Sequence, residues 1–216
     1  MTDFPYPSRR APSVSAVVLT LIFLLLVLPT ALVAFALGFG LRPLPYELFV
    51  VLQRQPLAFP LHMIVSGAAL ILIPIAAFAR HWRGIHRALG RVTAAAVLIG
   101  GLTALPVALA SEATTIARAG LFTQGLVWLV LLAVAVSAIR RGDVARHARF
   151  MLAMAAVASG VIWLRLATFA ATSFGLPFDQ VYAGTAWTCW LVPLGIIAIA
   201  TRWFVPSAAV RVRPAV

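Results

Sequence analysis

The chain has 216 residues, 63% hydrophobic and 10% charged, with a mean hydropathy of +1.04. That composition cannot supply the polar shell a water-soluble domain needs, so it excludes an ordinary soluble fold and selects lipid as the solvent. The net charge of +12 comes from 17 basic residues that are all arginine, and the absence of lysine excludes Schiff-base chemistry, a phosphate-loop lysine and lysine general bases.

In lipid every backbone polar group must be satisfied within the chain, which leaves helices or a closed barrel. The apolar runs are long and continuous, without the alternation of barrel strands, and so predict helices. The first covers about residues 14–38 behind Arg9 and Arg10, longer than a signal-peptide core. Ala34-Phe35-Ala36 resembles a cleavage site, but Ala11-Pro12-Ser13 does not continue a twin-arginine motif, so a retained anchor is expected. The second run, about 57–79, opens near Pro60 and ends at Arg80-His81-Trp82-Arg83. The third, about 90–111, holds Gly100-Gly101 and Pro106. The fourth is about 119–139 and ends at Arg140-Arg141. The fifth, about 150–173, carries Arg165, and the sixth, about 182–205, contains Trp187, Trp190 and Trp203, read as interfacial aromatics. Each run reaches the roughly 20 residues that a bilayer core requires.

The fold class expected is therefore all-α: a polytopic bundle of about six spans. Residues 14–205 form the bundle, with tails at 1–13 and 206–216. With the N-terminus inside, the inner segments hold Arg9, Arg10, Arg80, Arg83, Arg87, Arg91, Arg140, Arg141, Arg146, Arg149, Arg202, Arg211 and Arg213. The outer loops hold only Arg42, Arg54 and Arg118. Cytoplasmic loops retain positive charge, so both termini are expected inside a bacterial inner membrane. The inner arginines read as partners of anionic lipid rather than of nucleic acid. The lone Cys189 lies in an apolar run and reads as a small core or lipid-facing residue.

Ionisable groups at membrane depth are costly, which makes the few present the candidate functional residues. His62 lies in the outer part of the second span and Arg165 in the outer half of the fifth. They would coexist around a carboxylate or an anionic ligand, and Glu112 at the end of the third span is the internal candidate. The plain alternative is a structural Arg165–Glu112 pair with His62 hydrogen-bonded to a neighbouring helix. At the inner rim, His86 precedes the third span and His147 the fifth. A haem between them would have two imidazole ligands, with propionates facing Arg87, Arg91, Arg146 or Arg149. Gly90, one turn after His86, would allow a flat ligand close approach. Against this, both histidines sit at the edges of their apolar runs, and the alternative is imidazoles hydrated among lipid phosphates. Zinc is disfavoured by the lack of close paired spacing. No H-E-x-x-H, G-x-S-x-G, C-x-x-C or phosphate loop occurs, and no span has an acid at its midpoint, which places proton-coupled transport last.

His62, then His86-Arg87-Ala88-Leu89-Gly90-Arg91, then His147-Ala148-Arg149-Phe150-Met151, then Arg165, together resemble a prokaryotic multi-span membrane-protein family, domain of unknown function 2306. The resemblance covers about residues 55–200 and implies a helix bundle without naming an activity. Histidines at helix ends are also similar to b-type membrane cytochromes in architecture, although those place paired histidines deeper. His62 has no outer partner histidine, so one haem is the most this pattern implies.

Two functions follow as expectations. One is a haem b protein liganded by His86 and His147 that exchanges electrons with quinone near His62 and Arg165. The other is a non-enzymatic accessory or assembly subunit of a larger membrane complex, with structural histidines. Reporter fusions in the 80–91 and 140–149 connections are expected to report a cytoplasmic location for both. A periplasmic signal at either would overturn the assignment of rims.

Overall fold

The computed structural model describes residues 13–204, with the side chains at 16, 19, 22, 23 and 202–204 left aside. The tails expected at 1–13 and 206–216 lie outside the described residues except for Ser13, as do Arg9, Arg10, Arg211, Arg213 and the side chains of Arg202 and Trp203. The described chain is helical throughout, in the order α1 (Val14–Gly38), α2 (Tyr46–Arg54), α3 (Ala58–Phe78), α4 (Arg83–Ala110), α5 (Thr115–Arg140), α6 (Val144–Ala158), α7 (Gly160–Ser173) and α8 (Phe178–Phe204). A 3-10 turn, Ala79–His81, joins α3 to α4.

Among the described residues, five segments are long and apolar enough to cross a bilayer: Ala58–His81, Arg83–Ala110, Thr115–Arg140, Val144–Ser173 and Phe178–Thr201. The first expected span is helical over Val14–Gly38, and Leu24–Gly38 adds a shorter apolar helix to the set. Large apolar side chains such as Leu98, Leu102, Val130, Phe169 and Ile196 stand exposed along the helices. That is the expected surface of a bundle whose solvent is hydrocarbon.

Packing divides the chain into two compact units, Met1–Leu129 and Val130–Val216, with the boundary inside α5. In the first, α3 packs against both α1 and α4, and small residues set the spacing. A Cβ added at Gly101 would stand 2.6 Å from Leu129 Cδ2 and 2.7 Å from its Cγ, and one at Gly100 would stand 2.9 Å from Ser66 Oγ. Lipid-facing helices gain little from apolar burial, so such close backbone approach carries the packing. In the second unit α8 packs against α6 and α7. Trp190 is buried there, donating Nε1–H to Ala186 O at 3.0 Å, with Trp187 tilted against it at 6.0 Å between ring centroids. Trp190 is thus a core residue of its unit, which corrects its reading as an interfacial aromatic. Cys189 beside it is buried, the core one of its two expected placements.

Three features differ from the sequence expectation. Residues 46–54, read as loop, form α2, whose Val51 packs with Phe59 of α3 and Ala110 of α4. Helix α4 starts at Arg83 rather than near 90, and α6 at Val144 rather than near 150, because arginine is a good helix former and both starts sit on tight turns. Third, the fifth span is two helices meeting at Ser159, whose Oγ donates back to Ala156 O at 2.7 Å, a local bond that competes with the helix ladder.

The turn from α5 to α6 shows how short these connections are. Gly142 at φ 78° lets Asp143 N–H reach back to Ala138 O at 3.0 Å, a left-handed helix end that a side chain at 142 would resist. Asp143 Oδ1 then accepts the Arg146 N–H at 2.8 Å and caps α6.

Gly101→Val is expected to lower stability by about 1–3 kcal/mol through overpacking against Leu129. Gly90→Ala, where an added Cβ meets nothing within 4 Å, is expected to be neutral or slightly stabilising. Thermal unfolding of the detergent-purified variants separates the two.

Candidate functional site

His86 and His147 occupy the same position in their helices. Each is the fourth residue, in α4 and α6, and each backbone N–H closes the first turn onto the residue before the helix: His86 onto Trp82 O at 2.8 Å, His147 onto Asp143 O at 3.0 Å. Neither precedes its helix, which corrects the placement drawn from the hydropathy edges. From this position each imidazole reaches back to the helix before the turn. His86 Nδ1–H donates to Ala76 O of α3 at 2.8 Å, and His147 Nδ1–H donates to Ala135 O of α5 at 3.0 Å. Ala76 is among the last residues of α3, where carbonyls lack intrahelical partners. Ala135 lies inside α5, and its carbonyl accepts through a second lone pair.

The chemical consequence is the same in both units. A carbonyl oxygen only accepts, so the hydrogen lies on Nδ1 and the lone pair of the neutral ring is on Nε2. A backbone carbonyl at one ring nitrogen is the arrangement that orients an imidazole whose other nitrogen binds a metal. It is equally a helix-to-helix staple. Both histidines are half-buried.

The arginines around them are not equivalent. Beside His86 in the first unit, Arg87 and Arg91 are exposed, and Gly90 faces open space. Beside His147 in the second unit, Arg146 is taken up by Phe150, with its guanidinium carbon 5.7 Å from the ring centroid. Arg149 is half-buried, and its Nε is buried with no hydrogen-bond partner, an uncommon state for a guanidinium nitrogen. Among the described residues, no group of three or more His, Cys, Asp or Glu side chains could hold a metal ion.

His62, in the second turn of α3, repeats the device a third time. Its Nδ1–H donates to Gly100 O of α4 at 3.0 Å. Ser66 Oγ stands 3.3 Å from the same nitrogen and Thr103 Oγ1 3.5 Å. The Thr103 hydroxyl donates to Ile99 O at 2.7 Å on its own helix. Arg165 lies exposed on α7, in the second unit, within electrostatic range of Tyr182 on α8.

The carboxylate expected to serve Arg165 is engaged elsewhere. Glu112 Oε1 accepts from Arg54 Nη2 at 2.9 Å, while Arg54 Nη1 donates to Ala110 O at 2.9 Å. Arg54 at the end of α2 therefore caps the C-terminus of α4, where the helix dipole favours a cation, and holds the acid that follows it. Glu112 thus has its partner within the first unit, while Arg165 belongs to the second. Leu48, Val51 and Leu52 in α2, at helical spacing before Arg54, are the sequence signal that points to this clamp.

No curated protein and no solved structure matches the chain. Residues 59–201, well over half of the chain, match the model of a family described as predicted membrane protein (DUF2306). The match takes in His62, His86, His147 and Arg165, while α1 and α2 precede it. This multi-span helical chain belongs to that family.

Proposed function

We propose that this membrane protein is a haem b protein that exchanges electrons with quinone, with His86 in the first unit and His147 in the second as the candidate axial ligands. The carrying observation is the state of the two imidazoles, each taken within its own unit: Nδ1–H fixed on a carbonyl, Nε2 left as the available lone pair. Observations within each unit support the reading. Arg149 offers a buried guanidinium nitrogen without a partner two residues from His147, and Gly90 leaves space one turn from His86. Arg87, Arg91 and Arg149 would balance the propionate charge, and the carbonyl bond to each Nδ1–H fixes the ring plane. When bound, haem supplies one-electron redox chemistry, tuned by its axial ligands and by nearby charge.

His62 is the candidate for contact with quinone, with Arg165 as a second. Because His62 Nδ1–H is held by Gly100 O, Nε2 is the atom that would take or return a proton. In this reading the arginine-rich turns lie on the cytoplasmic face of a bacterial inner membrane, among anionic lipids that contribute about 1 kcal/mol per arginine near the surface.

A second reading is favoured by the same bonds. Each histidine ties two helices of its own unit together, which a non-enzymatic subunit of a larger complex would need with no cofactor. The two readings part in the visible spectrum. Protein purified in detergent and supplied with haem is expected to show a Soret band and, on dithionite reduction, an α band. His86→Ala and His147→Ala should each abolish the normal spectrum with helicity retained, and His62→Ala should preserve it. A folded, colourless protein in which the histidine variants lose only thermal stability would overturn the haem reading and leave the staple.

A further inference from the structure

A groove in the first unit involves neither His86 nor His62. It has a volume of about 480 Å³ and lies where α1 ends, α2 crosses and α3 begins, with walls from Leu37, Phe39, Leu44, Phe49 and Leu52. Arg42 is the one charged residue lining it. The volume falls within the roughly 300–1,000 Å³ of small-molecule sites.

Charge complementarity identifies the occupant. Arg42 is exposed, and among the described residues no carboxylate lies within ion-pair distance of it, whereas Arg54 at the end of α2 is taken by Glu112. Around Arg42 the apolar side chains stay open: Phe39 is 60% exposed, Leu41 75% and Phe49 48%. A guanidinium on a rim of exposed aromatic and aliphatic groups, at the ends of membrane-spanning helices, matches the boundary between headgroups and acyl chains. Gly40, at φ 69°, turns the chain out of α1 so that Arg42 follows directly on the apolar wall.

We propose that this groove is a binding site for an anionic phospholipid, with the phosphate on the Arg42 guanidinium and one acyl chain between Phe39, Leu44, Phe49 and Leu52. Guanidinium pairs with phosphate through two parallel N–H bonds, which favours this headgroup over other anions of the interface. A zwitterionic lipid offers the same phosphate offset by its own ammonium, so the site discriminates by net charge. The site depends only on membrane embedding, not on haem.

The test uses the full chain in nanodiscs containing phosphatidylglycerol or phosphatidylcholine that carries a photoreactive group in one acyl chain. Adducts are mapped by mass spectrometry. The expected result is adducts concentrated on residues 37–60, about fivefold more with phosphatidylglycerol. Arg42→Gln should remove that preference and Arg42→Glu should reverse it, while Arg80→Gln leaves it intact. Adducts spread over all exposed helix faces, equal labelling by the two lipids, an unchanged preference in the Arg42 variants, or crosslinks to a second copy of the chain would each overturn the site. Arg42 is exposed and precedes α2, so the variants keep the fold, which their elution profile checks.

Discussion

Everything in this molecule follows from the demand that a polar hydrogen inside hydrocarbon find its acceptor on the chain itself. An unmet backbone or side-chain donor costs several kcal/mol there. The long helices meet that demand for the backbone. The hydroxyls meet it by bending back: Thr93 donates to Leu89 O at 2.8 Å and Thr201 to Ile197 O at 2.8 Å. Trp190 does the same with its indole N–H, and Arg54 spends its guanidinium on the end of α4 and on Glu112. The three described imidazoles inside helices all solve the problem alike, with Nδ1–H on a carbonyl of the neighbouring helix.

That uniform solution gives the histidines their chemical interest. A staple needs one hydrogen bond, and an imidazole that makes it through Nδ1 keeps an unprotonated Nε2. The same atom is what an iron, a hydroxyl or a quinol would meet. Structural and functional readings therefore share one geometry, and the features the haem proposal draws on lie in the environment. Arg149 keeps a buried Nε without a partner beside His147, and the surface beside His86 is open at Gly90. Neither feature is needed to hold two helices together.

The spans were legible because hydropathy over twenty residues is a strong signal, and the helices lie where the apolar runs predicted. Their starts were not. Hydropathy falls at Arg83, Arg87 and Arg91, and again at Arg146 and Arg149, yet arginine continues a helix readily, so α4 and α6 begin several residues earlier than their apolar cores. This moved His86 and His147 from loops into helices, a change that matters more to their chemistry than to the fold. Helix α2 was missed because Pro43, Pro45 and Pro56 bracket a segment too short to stand out, although Leu48, Val51 and Leu52 carry its packed face. The Arg54–Glu112 pair was not foreseen because Arg54 was read as part of a loop rather than as the end of a helix packed by Val51. Trp190 was misread because it lies at the middle of α8 and is buried in its unit, not at a span end.

The account turns on where the imidazole protons sit. Histidine-selective ¹⁵N solid-state NMR of the protein in bilayers, at mildly alkaline pH, reads this directly. His62, His86 and His147 should carry hydrogen on Nδ1 and a lone pair on Nε2, with exposed His81 as the internal reference. A spectrum in which His86 and His147 instead hold the hydrogen on Nε2 would contradict the carbonyl bonds and, with them, the ligand-ready atom on which both the staple and the haem proposal are built.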